Sequence, residues 1–243
     1  MKISNIETGV RAITPARVRT PACNYACDDE RYIDALADMA NRRSGGWWET
    51  FRGQLPAGLL DITELEWHAR SVRAGAFLHV PGLLQTDGYT RSVCAASRPS
   101  LSSHEVELRV AFRMQRQQVL HRDDPIKYTG YVHEAALRIE FGGTKIMRRQ
   151  MEHLWEIAGQ DNVYVRVVPF SAGGFPGAGQ SLLYAQGAVP QLDTVQLDSA
   201  HGPVFIHAPA QLDKYRSHLD WMETSSLPPA QSRDFIRALS RSL

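Results

Sequence analysis

The sequence predicts an α+β fold: a mixed or antiparallel sheet packed with helices and preceded by a small helical segment. Three observations carry that prediction. The stretches 102–122 and 144–158 place a capping residue ahead of apolar positions at helical spacing. Four short apolar segments, 163–168, 181–185, 194–197 and 204–206, follow one another across glycine- and proline-bearing turns without an intervening helix. Such spacing favours antiparallel or mixed pairing over crossover units. Residues 1–43 are polar and helical in pattern, and Ser44-Gly45-Gly46 ends them.

Taken in order, Ile3, Ile6 and Gly9 read as the last turns of a helix with glycine in the left-handed position after it. Thr14-Pro15 reads as an N-cap with proline at the first helical position. Pro21 is expected to break that helix within two turns, because it lacks the N–H an interior position donates. Asp28 should cap a second helix over 29–42, with Ile33, Leu36, Ala37 and Ala40 as its apolar stripe. The main body begins at Trp47-Trp48. Leu59 to about Arg73 reads as helix, and Gly75–Val80 as a short strand stopped by Pro81. Ser102 and Glu105 have capping-box spacing, and Val106, Val110 and Met114 share one face of a helix ending near Arg122. Residues 126–132 read as a strand, and Thr144–Ala158 as a helix stopped by Gly159. Gln211–Glu223 and Pro229–Ser240 are the closing helices.

The chain has 243 residues, with 27 Lys+Arg against 26 Asp+Glu and a net charge of +1. That near balance excludes a general polyanion binder, which needs a surplus of cations. Apolar residues make up 43% and charged residues 22%, enough for a packed core and unlike a disordered composition. No apolar run reaches the ~18–20 residues of a membrane span, and MKISNIETGV lacks the apolar stretch of an export signal. Cys23, Cys27 and Cys94 supply no disulfide framework, so a cytoplasmic chain without membrane association is expected.

Trp47-Trp48, PGLLQTDGYTR at 81–91, RMQRQQVLHRDDP at 113–125, HEAALR at 133–138, MRRQMEHL at 147–154, VRVVPFSAGGFPG at 165–177 and LPPAQSRDFI at 227–236 form a collinear series. In that order they resemble the C-terminal domain of antitoxin-like XRE-type helix-turn-helix transcriptional regulators, over about residues 46–243. The resemblance implies a regulatory module that binds a small-molecule effector or a small partner protein. It implies no cofactor and no established activity, and a homodimer is among the assemblies it allows.

KISNIETGVRAITPARV at 2–18 resembles the second half of an XRE helix-turn-helix, from the recognition helix onward. A recognition helix reads the major groove only when the helices before it fix its angle on the duplex. Either the true start lies upstream or direct DNA contact is weakened or lost, and Pro21 favours loss. Residues 1–45 are therefore expected to be a degenerate helical remnant of a DNA-binding domain, and 46–243 the regulatory domain.

Candidate ligand-contacting residues are Trp47, Trp48, Gln85, Tyr89 and Arg91. The two tryptophans offer stacking surfaces, with anchoring of the core as the plainer account. Gln85, Tyr89 and Arg91 follow a strand end, a common binding position; Thr86 or Asp87 as an N-cap is the plainer account there. The contrasting function is a biosynthetic enzyme recruited from this domain, with Glu66, His133, Glu134 and Asp198 as its acid/base set. HEAAL at 133–137 lacks the second histidine of a zinc helix, and Cys23/Cys27 lack a second ligand pair, so no metal is expected. GGFPGAG at 173–179 has no phosphate-cradling context and reads as a long hairpin loop. Related sequences carry Pro-Phe where Gln180-Ser181 stands here, a change toward hydrogen-bonding groups beside a pocket. Arg109, Arg113 and Arg116 share a helical face that reads as solvated and salt-bridged through Glu105.

Overall fold

The structure, a computed structural model, describes residues 6, 13–41, 45–174, 180–199 and 201–243. Two helices, α1 (Pro15–Asn24) and α2 (Glu30–Asn41), pack through Val18, Ala22 and Ile33. A 3₁₀ turn over Trp47–Phe51 leads into α3 (Ala57–His68) and β1 (Ser71–Ala76). Then come α4 (Asp87–Ala95), α5 (Ser103–Arg116), β2 (Lys127–His133), the short α6 (Glu134–Arg138) and α7 (Thr144–Ile157). Strands β3 (Val163–Val168), β4 (Leu182–Gln186), β5 (Thr194–Ser199) and β6 (Gly202–Ile206) precede α8 (Pro209–Ser225) and α9 (Pro229–Ser242).

The six strands form one mixed sheet in the order β3-β2-β1-β4-β5-β6. β1, β2 and β3 are parallel, because the helices between them form the long crossovers that parallel pairing requires. β4, β5 and β6 run as an antiparallel meander against β1. Alternation along the strands splits the side chains between two cores. Val72, Ala74, Tyr128, Val132, Val163, Val165 and Val167 face Met147, Met151, Leu154 and Ile236. Tyr131, Val168, Leu182, Tyr184, Val195 and Leu197 face Leu212, Leu219 and Met222 of α8. The α+β class read from the sequence is what the fold shows. Among the described residues, no helix is long and apolar enough to cross a membrane.

Several element readings are corrected. α1 runs through Pro21 instead of breaking there. Burial of Val18 and Ala22 against α2, and ion pairs from Arg19 to Glu30 (2.7 Å) and Asp34 (2.6 Å), hold the helix across the missing N–H. The second helix is capped by Asp29, whose Oδ1 accepts from Tyr32 N at 3.1 Å, and not by Asp28. β1 begins four residues earlier than expected and α3 ends at His68, since pairing of Ser71–Ala76 with both β2 and β4 outcompetes helix. α5 ends at Arg116 and tightens into a 3₁₀ turn through Leu120. The hairpin expected around 173–179 is not formed, because β3 and β4 are not neighbours in the sheet; residues 175–179 themselves lie outside the described residues. The helix end placed at Gly9 lies outside the described residues.

Candidate functional site

β1 is the strand at which the sheet divides, with β2 and β3 on one side and β4 to β6 on the other. Crevices beyond the carboxyl end of such a strand are the usual ligand positions in open sheets. Here the chain leaves β1 after Ala76, and a cavity of ≈160 Å³ opens against α3 and α5. Its wall includes Gly75, His79, Gly82, Gln85, Ser181, Gln196 and Asp198, with Glu66, Arg113 and Arg116 from the helices.

The loop after β1 is held in place by two buried glutamines. Gln85 Nε2 donates to Val80 O at 2.6 Å, while its Oε1 accepts from Thr90 Oγ1 at 3.1 Å and Arg113 Nη1 at 2.6 Å. Gln150 of α7, with no exposed surface, donates to Leu84 O at 2.7 Å and accepts from Thr86 N at 2.7 Å. Gln117 Nε2 donates to Gln85 O at 2.6 Å. Together these bonds satisfy backbone groups that a buried loop would otherwise leave unpaired.

Charge in the cavity is unevenly compensated. Glu66 is 1% exposed and pairs with Arg116, whose Nη2 donates to Oε1 at 2.9 Å. Arg116 Nε lies 2.8 Å from Oε2, but neither of those two atoms has a hydrogen-bond partner among the described residues, so this half of the contact is Coulombic. Burial pushes the Glu66 carboxyl above the ordinary carboxylate range, against the opposing pull of Arg116. Arg113 forms no ion pair among the described residues, and Gln85 is its hydrogen-bond partner. Burial, then the neighbouring Arg116 charge, pull its pKa down to about 10, which leaves it cationic at neutral pH.

The candidate residues from the sequence divide between this cavity and plain structural duties. Gln85, Glu66 and Asp198 line the cavity; Asp198 accepts from Gln196 Nε2 at 2.9 Å. Tyr89 is fully buried in the adjoining core, its hydroxyl accepting from Val80 N at 3.2 Å. Thr86 is the N-cap of α4, as the plainer account of that segment expects. Arg91 is exposed and ion-paired with Glu107. Trp47 and Trp48 pack with Phe51, Phe112 and Trp67 in an aromatic cluster, Trp48 at 2% exposure. His133 caps α6, accepting from Ala135 N at 3.2 Å. Glu134 accepts from Phe170 N at 2.9 Å and Arg138 Nε at 2.7 Å, and neither His133 nor Glu134 lines the cavity. The proposed acid/base set therefore does not converge. Among the described residues no cluster of three His, Cys, Asp or Glu could hold a metal.

The solvated reading of the arginine face is overturned for Arg113 and Arg116, which are turned into the cavity. The sequence held a signal: neither has an acid three or four residues away on either side, so neither has an exposed helical partner. Ser181 also lines the cavity.

A family model described as "Domain of unknown function (DUF5753)" matches residues 59–238. The chain belongs to the DUF5753 family. No curated protein and no solved structure matches the chain. The DUF5753 match spans α3 to most of α9, and so takes in every residue of the cavity wall.

Proposed function

We propose that this DUF5753 chain is the effector-binding module of an XRE-type, antitoxin-like transcriptional regulator. The observation that carries the reading is the cavity beyond β1, where a cationic side chain without an ion pair among the described residues stands beside both polar and apolar side chains at the division of the sheet. Polar groups that converge on a concave pocket, with apolar side chains between them, are what a small-molecule site requires. Binding is preferred over catalysis because Glu66 is tied to Arg116 and because His133 and Glu134 lie off the cavity.

A fragment screen by ligand-observed NMR tests the cavity, using wild type and Gly82→Val. A Cβ at Gly82 points toward Arg116 Nη2 at 3.2 Å, so the valine fills the space from the loop. Hits lost in the valine variant are expected; a screen without any such hit sinks the effector reading.

A further inference from the structure

We infer that the cavity takes a small monocarboxylate with an apolar body, its carboxylate seated on Arg113. This deepens the effector reading and rests on it. Two carboxylates and two arginines line the cavity, and their pairing is uneven. Glu66 is in direct contact with Arg116, whereas Asp198 acts on Arg113 only across the cavity and forms no ion pair with it among the described residues, so the hydrogen-bond partner of Arg113 is the neutral amide of Gln85. A guanidinium has five donors, and one N–H spent on Gln85 leaves others for a carboxylate. Planar, paired donation to a carboxylate is the interaction arginine makes best.

The same wall argues for a single negative charge. Glu66 and Asp198 both line the cavity, so a second anionic charge on the ligand meets carboxylates and not a further free cation. The apolar part of the wall, against which a ligand body would lie, includes Leu59, Ile62, Leu83, Val93, Leu182 and Leu183. Its volume, ≈160 Å³, is close to the ~150 Å³ of an engineered cavity known to hold benzene. The ligand body is thus on the order of six heavy atoms.

Calorimetric titration of the full chain with benzoate, hexanoate, benzyl alcohol and inorganic phosphate tests the assignment at pH 7.5. The two acids are expected to bind wild type, and about tenfold or more weaker to Arg113→Gln, as befits loss of a charge-assisted contact. Benzyl alcohol should bind wild type about tenfold or more weaker than benzoate, and be indifferent to the substitution. Circular dichroism and a melting curve check that the variant folds. If it does not, Arg113→Lys replaces it; acid affinity equal to wild type in the lysine variant overturns the paired-donor assignment. Benzyl alcohol binding as tightly as benzoate, phosphate binding more tightly than either acid, or failure of both acids to bind overturns the monocarboxylate while Gly82→Val-sensitive fragments from the wider screen persist. Absence of any such fragment removes the effector reading itself.

Discussion

Arg113 is anchored by a neutral group: its Nη1 donates to Gln85 Oε1 at 2.6 Å, and no carboxylate among the described residues forms an ion pair with it. Three residues along the same helix, Arg116 has the opposite arrangement, sealed against the buried Glu66. The two arginines should therefore respond to substitution in opposite directions.

For Arg113→Met, the ligand-free protein should be as stable as wild type or more so. A poorly compensated charge leaves the interior, and replacing buried ionic groups by apolar ones of similar volume is often neutral or stabilising. Urea melts check this, and a loss above about 2 kcal/mol would show that Arg113 is structural.

Arg116→Met should cost roughly 3–5 kcal/mol, because it leaves Glu66 buried without its cation. Adding Glu66→Leu should recover most of that loss. The double-mutant cycle is the measurement, and additive losses would contradict a mutually compensating pair.

Gln150→Leu should destabilise by about 2–6 kcal/mol and loosen the cavity loop. Its side chain satisfies Leu84 O and Thr86 N, and each buried backbone group left unpaired costs about 1–3 kcal/mol. Hydrogen exchange at the Thr86 amide is the local readout. Protection as in wild type would show that another group takes over.

Stability should fall in mild acid. Burial holds the His133 imidazole below its ordinary value near 6.5, with Glu134 pulling the other way. His153 and His218 are lowered as well, again first by burial. A histidine with a depressed folded value contributes stability that is complete above about 6.5 and is lost as pH falls through that folded value. For His133 the reason is visible: it caps α6 by accepting from Ala135 N, and protonating that nitrogen removes the acceptor. Melting temperatures from pH 8 to 5 should be level and then decline. His133→Asn, which can cap without titrating, should make the decline shallower.

Much of the fold was legible from local patterns. The capping box at Ser102 and Glu105 is formed, and the two closing helices lie where the apolar spacing put them. α7 does begin at Thr144, but the threonine is its first helical residue and not the expected cap: Gly143, at a φ of 82°, holds the cap position without a side-chain hydrogen bond. β1 and Pro21 were misread because pairing with two flanking strands, and docking of α1 on α2, outweigh local propensity. Within the site, Gln85 was found from its place after a strand. Arg113 and Arg116 were assigned to solvent, since a run of arginines on one face ordinarily is.

Sequence by itself determined the classes of element, their order, the balance of charge and the pairing of a helical segment with a larger α+β body. Tertiary structure alone decided that β4 inserts beside β1, and that two arginines of α5 turn inward beside a carboxylate from α3. Caps and apolar periodicity act over a few residues and are written in the local chain. A cavity is made by residues distant in sequence, Glu66 with Arg116 and Gln85 with Arg113, and only packing decides which charges meet.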